Sequence, residues 1–136
     1  MSISPGIDLP ELPVAFMNED HAHAAEQWRE MASALAEYPA RPARLVAACD
    51  AFLRHNREHF EREEAAMLSS GFPPYPVHKQ EHDRVLAWIE ELLNSIRAGE
   101  DPALLHDVIQ RDLLAWLQQH VQTMDLVTAR WIASRN

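Results

Sequence analysis

The fold turns on the stretch His55-Asn56-Arg57-Glu58-His59-Phe60-Glu61-Arg62-Glu63-Glu64. On a helix, His59 and Glu63 lie one above the other on a single face. A neutral imidazole and a carboxylate so placed can both reach one metal ion. Amphipathic helices place His and Glu four apart by chance, so the weight lies in what the rest of the chain adds at matching heights.

Around this stretch, Leu45, Val46, Cys49, Phe52, Leu53, Phe60 and Met67 follow the three-four spacing of one buried stripe. The spacing predicts a helix from about residue 42 to about 69, broken by Ser70-Gly71-Phe72-Pro73-Pro74-Tyr75-Pro76. Upstream, a helix is expected from Asn18 as N-cap, with Asp20 in its first turn, through His21, Trp28, Met31 and Leu35 to about Tyr38. Pro39-Ala40-Arg41-Pro42 then turns the chain. Downstream, Val85, Leu86, Trp88, Ile89, Leu92, Leu93 and Ile96 mark a third helix from near Pro76 to about Arg97, with Gly99 as a C-cap. Asp101-Pro102 is a start signal for a fourth, through Leu104, Val108, Leu113, Leu114, Trp116 and Leu117 to His120. A further helical stretch continues to about Ser134. Pro5, Pro10 and Pro13 make residues 1–17 an extended arm laid against the domain. The expected fold is all-α, an antiparallel up-down-up-down four-helix bundle over 18–136 with a short C-terminal helical extension, in one domain spanning 1–136.

Three glycines among 136 residues, and runs rich in Ala, Leu, Glu, Gln and Arg, agree with helix over sheet. The formal charge of −9 argues against a nucleic-acid partner. One cysteine, Cys49, leaves no internal disulfide and fits a reducing compartment. The N-terminal stretch has neither a basic start nor an apolar run, and no segment is apolar for long enough to span a bilayer. The expected location is the cytoplasm.

Eight histidines in so short a chain ask for an explanation. In an antiparallel helix pair, two residues share a level when their midpoint is the turn. His21 and His59 have their midpoint at residue 40, inside the first turn. Glu63 and His78 have theirs between Ser70 and Gly71, and His82 and His120 have theirs at Asp101. All three fall on expected turns, so these six residues should gather at one end of the bundle. His78 and His82 repeat the four-residue spacing. Asp125 follows His120 by five residues, about 140° around an ideal helix. For both to face the core, the backbone must loosen between them.

The set is five histidines and two carboxylates from four helices. Imidazole with carboxylate suits iron, zinc or copper rather than calcium or magnesium. Without thiolates, a structural zinc site of the usual kind does not fit. Seven donors exceed one transition-metal ion and suit two. If both carboxylates bridge, and an oxo or hydroxo group bridges as well, eleven of twelve octahedral positions are filled. The one left open can take a small diatomic ligand.

At this point the chain resembles the hemerythrin family. The pieces are Met17-Asn18-Glu19-Asp20-His21, His59-Phe60-x-x-Glu63-Glu64-x-x-Met67, His78-x-x-x-His82 after Gly71-Phe72-Pro73, and Trp116-Leu117-x-x-His120-x-x-x-x-Asp125. The resemblance implies a non-haem di-iron centre, two iron ions with a bridging oxo or hydroxo group, that binds O2 reversibly. By it, His78, His82 and His120 hold one iron, His21 and His59 hold the other, which keeps the open position, and Glu63 and Asp125 bridge. The family usually carries a bulky Leu over the O2 pocket three residues after the first ligand. Here Ala24 stands there, which implies a more open pocket. The Trp often found in the family's N-terminal arm is also missing, with Phe16 the nearest aromatic.

Phe60, Trp116, Leu117 and Val121 are expected in the bundle core and as walls of a dry pocket. His55, one turn before His59, could face the site as a supporting group. His23 is expected at the surface, His106 in a structural role or at the surface, and Glu64 is expected to point away. The function expected is O2 carriage, storage, delivery or sensing, without catalysis. The alternatives are a di-iron enzyme acting on peroxide or nitric oxide, and an O2 or redox sensor acting on a partner in trans. Two Glu-x-x-His motifs, typical of di-iron oxidases in bundles, are absent.

Overall fold

Helices form at the four places the apolar spacing marks. The computed structural model describes residues 7–135. Helix α1 spans Ala15–Ala34, α2 Ala43–Ser70 and α3 Tyr75–Arg97. The fourth rod is built of α4 (Pro102–Asp107), a π-helical segment Val108–Leu113, α5 (Leu114–His120), a second π segment Val121–Asp125, and α6 (Leu126–Ser134). α1 packs on α2 and α2 on α3, while the fourth rod closes the bundle by touching α1 through its first π segment and α2 through α6.

The boundaries carry two corrections. α1 begins at Ala15, with the extended residue Val14 as its cap, and Asn18 lies inside its first turn. The Asn18 side chain instead brackets Leu12: Nδ2 donates to the Leu12 carbonyl and Oδ1 accepts from its amide, both at 2.8 Å. This clamp, with Ile7, Leu9 and Leu12 buried, lays the arm against the bundle. α1 also stops at Ala34, four residues before the expected end. Pro39 and Pro42 cannot donate helical hydrogen bonds, and the chain turns ahead of them. Elsewhere the turn chemistry matches. Gly71 and Gly99 hold φ of 70° and 79°, a region glycine enters without steric cost. Asp101 caps α4 by accepting from the Ala103 amide at 3.0 Å, ahead of Pro102.

Each rod points its apolar stripe inward. Met17, Met31, Leu45, Phe52, Ile89, Ile96, Ile109 and Leu113 are all at most 1% exposed. At one end this packing gives way to polar groups: His21, Asn56, His59, Glu63, His78, His82, His120, Asp125 and Thr128 are the buried polar residues among those described. No helix among the described residues is long and apolar enough to cross a membrane.

Candidate metal centre

The level-matching of helices across turns has a direct consequence in space. The His21 and His59 rings lie 5.2 Å apart, His82 and His120 5.4 Å, and His78 Nε2 lies 3.1 Å from Glu63 Oε1. Asp125 joins them through the second π segment. A π turn closes its hydrogen bond five residues on, so residues five apart come into register. His120 Nε2 then lies 3.1 Å from Asp125 Oδ1, and both side chains face inward.

The seven residues form two overlapping groups. Glu63, His78, His82, His120 and Asp125 make one, and His21, His59, Glu63 and Asp125 make the other. In each, one donor atom per residue lies within 4.8 Å of every other. Glu63 and Asp125 belong to both. His59 Nε2 is 2.8 Å from Glu63 Oε2, His21 Nε2 is 2.9 Å from Asp125 Oδ2, and His82 Nε2 is 3.4 Å from Glu63 Oε1.

Three of the histidines are oriented from behind. His59 Nδ1–H donates to Asp20 Oδ2 at 2.8 Å, His82 Nδ1–H to Glu64 Oε2 at 2.8 Å, and His78 Nδ1–H to Thr128 Oγ1 at 2.7 Å. These bonds fix the tautomer, so each neutral ring turns its Nε2 lone pair toward the carboxylates. Lone pairs facing carboxylate oxygens at about 3 Å repel unless a cation lies between. Both Glu63 oxygens, Asp125 Oδ1 and Nε2 of His78, His82 and His120 are buried without a hydrogen-bond partner among the described residues. Such orphaned polar atoms are costly unless something charged satisfies them. Donors bound at right angles to one ion at about 2.1 Å would stand about 3 Å apart, the spacing found here. The donor set therefore fits metal ions.

The electrostatics show what replaces the cations when protons take their place. Burial alone would lower the His59 imidazole, yet the Glu63 charge and the Asp20 hydrogen bond raise it to about 10. Burial works against charge on His78 too, and the Asp125 and Glu63 carboxylates raise it to about 9. Burial and the neighbouring Asp125 charge would raise Glu63, but His59 and His78 hold it below the ordinary carboxylate range. Asp125 is likewise held down against burial, chiefly by His120. Asp20 is held low against burial by hydrogen bonds from His59 and Arg62.

The walls are aromatic on one side. Phe60 stacks on His82 with ring centroids 3.8 Å apart and planes 2° apart. Half-buried Trp116 stacks on His120 at 4.7 Å and donates its Nε1–H to Glu81 Oε2 at 3.1 Å. Leu117, Val121 and Ala24 are buried in the main apolar core. His55 is half-buried, parallel to His59 at 6.2 Å, and its Nε2–H donates to the Asp20 carbonyl at 2.9 Å. His23 and His106 are exposed.

Glu64 departs from its expected role, because it turns back under His82 instead of pointing away. Asp20 stands in the sequence as a first-turn acid and Thr128 as one more residue of the last helical stretch. The midpoint signal reaches two of the three: His59 with Asp20 and His82 with Glu64 centre on turns, whereas His78 with Thr128 centres on residue 103, inside α4.

Buried imidazoles and carboxylates at one end of a helical bundle define a class, the bundle proteins built around a metal-binding core. Within that class the chain belongs to the hemerythrin family, since the sequence profile of the hemerythrin HHE cation binding domain matches residues 12–132. It is 39% identical over 93 residues to a bacteriohemerythrin of Ralstonia nicotianae, covering 68% of this chain and 66% of that one. To a bacteriohemerythrin of Aquifex aeolicus it is 30% identical over 81 residues, covering 60% and 62%. The aligned part thus spans about two thirds or less of these relatives. A solved structure of a hemerythrin mutant superposes with a TM-score of 0.79 at 21% identity over 89% of both chains, a likeness of fold.

Proposed function

We propose that the chain is a single-domain di-iron protein that binds O2 reversibly. His78, His82 and His120 would hold one iron, His21 and His59 the other, and Glu63 and Asp125 would bridge them. The observation that carries this reading is the sharing of both buried carboxylates by two histidine groups of unequal size. When bound, the iron pair would supply a redox-active centre able to take a small diatomic ligand.

The chain's own residues do the rest. Asp20, Glu64 and Thr128 fix three imidazoles so that each Nε2 faces inward. Phe60, Leu117, Val121 and Ala24 exclude water, because they are at most 3% exposed. A dry pocket disfavours the escape of charged products and so favours release of the ligand unchanged. Nothing in this account needs a nucleophile or a general acid, which separates ligand carriage from peroxide or nitric oxide chemistry.

The test is anaerobic reduction followed by exposure to air, watched by visible absorption with iron counted per chain. Two irons and a coloured adduct that fades when O2 is removed support the reading. Two irons with irreversible oxidation on first contact would overturn carriage.

A further inference from the structure

Of the buried polar residues among those described, seven are the donors and Thr128 backs His78. Asn56, 2% exposed, is the one left over. Its level follows from arithmetic across the turns. Asn56 and Ala24 have their midpoint at residue 40, Asn56 and Val85 between Ser70 and Gly71, and Val85 and Leu117 at Asp101. The same midpoints gather His21, His59, His82 and His120. Ala24, Asn56, Val85 and Leu117 therefore make the next layer in, three residues or about 4.5 Å along each helix from those histidines. The other three members are apolar and at most 3% exposed. One layer further, Trp28, Phe52, Ile89 and Leu113 pack as core.

The Asn56 amide is half paired. Its Nδ2 donates to the Phe52 carbonyl at 2.8 Å, and since a carbonyl only accepts, this bond fixes which end of the amide is nitrogen. The second Nδ2–H and Oδ1 make no hydrogen bond among the described residues. A buried amide left so costs stability that a leucine in its place would not. The layer beyond has no partner to offer, because its one polar group, the Trp28 indole N–H, is given to the Ile109 carbonyl. At the same level on α1, which packs on α2, Ala24 presents only a methyl group. The polar surroundings within reach of the amide are those of the metal centre.

We propose that Asn56 is the hydrogen-bond donor of the ligand pocket, its spare Nδ2–H reserved for a small ligand whose outer atom carries negative charge. The inference rests on the di-iron reading of the centre and adds a preference to it. Among ligands small enough to enter, those with a charged or strongly polarised end are held better. Azide represents that class. A hydrogen bond to a charged acceptor is stronger than one between neutral groups, and stronger again where water is excluded. The amide proton stays on nitrogen throughout.

The experiment is titration of the oxidised, iron-loaded protein with azide, followed by visible absorption, with iron counted in each sample. Asn56→Ala and Asn56→Leu both remove the donor and change the space in opposite directions. Both should weaken azide binding about tenfold or more, the scale of a lost hydrogen bond to a charged group. Ile89→Ala, one layer further from the donors, should leave the affinity unchanged. A second readout needs no metal: in urea unfolding of the chelated chain, Asn56→Leu should be at least as stable as wild type, since it removes a half-paired amide. Wild-type affinity in both Asn56 variants, at two irons per chain, would overturn the donor and leave the di-iron reading standing. Weakening in Asn56→Leu alone would mean obstruction, and would overturn the donor as well, as would failure of the di-iron wild type to bind azide. Fewer than two irons in wild type would overturn the di-iron reading itself.

Discussion

The two sides of the centre use the same donors and are walled differently. The three-histidine side is faced by flat rings, Phe60 on His82 and Trp116 on His120, and clefts lined by His78 and by His120 reach it from the surface. The two-histidine side has the small residue Ala24 one turn after His21, and a column of histidines leading outward. Each side has one imidazole backed by a carboxylate, Asp20 behind His59 and Glu64 behind His82. The backing carboxylates are thus symmetric and the packing is not. Donor count and packing both distinguish the two sides.

Removing the shared element should break both sides at once. Glu63→Ala removes a carboxylate that both groups share and leaves a cavity among orphaned Nε2 atoms, so di-metal occupancy should be lost. Full occupancy measured by metal analysis in that variant would argue against the bridge. Next come the backing carboxylates, one per side. Asp20→Ala and Glu64→Ala should each weaken metal binding about 10–100-fold, the usual cost of losing an outer partner. Calorimetric titration should show the loss in one of two binding steps, a different step for each variant. If both variants weaken the same step, the assignment of His59 and His82 to different sides is wrong.

Phe60→Ala tests the three-histidine side. Removing a buried ring costs about 3–5 kcal/mol of stability, read from urea unfolding of the chelated protein. It should also speed loss of metal to a chelator. Ala24→Leu tests the two-histidine side with a smaller effect. It should slow autoxidation, at up to about 1–3 kcal/mol in stability for the added volume. An unchanged autoxidation rate would mean that Ala24 does not gate the pocket.

The pH dependence has opposite signs with and without metal. In the chelated chain, the raised His59 and His78 groups add stability that is complete below their ordinary value of 6.5. That contribution is lost as pH climbs through about 9 and about 10. The melting temperature of chelated protein should therefore fall between pH 7 and 10. Metal must displace the same protons, so affinity should rise over that range. Proton release on loading at pH 7, measured with an indicator dye, checks the sign.

The gathering of these seven side chains was legible because level across an antiparallel turn is arithmetic on residue numbers. His120 and Asp125 show the strength of that reasoning. Their five-residue spacing demanded a loosened backbone, and a π turn lies there. The other π segment, Val108–Leu113, had no such mark. Its Ile109 carbonyl accepts from the Trp28 indole at 2.8 Å, an interaction across 81 positions that local spacing cannot reveal. Asn18 misled for a related reason. Its amide has a better partner in the Leu12 backbone than in the helix it was expected to cap. Glu64 looked like a solvated acid beside a ligand, and only the turn of the His82 ring gives it a role.

The most direct measurement is anomalous diffraction at the iron edge from crystals of iron-loaded protein. The account predicts two peaks, both touching Glu63 and Asp125, one beside His78, His82 and His120 and the other beside His21 and His59. A single peak, or peaks outside these seven residues, would contradict it.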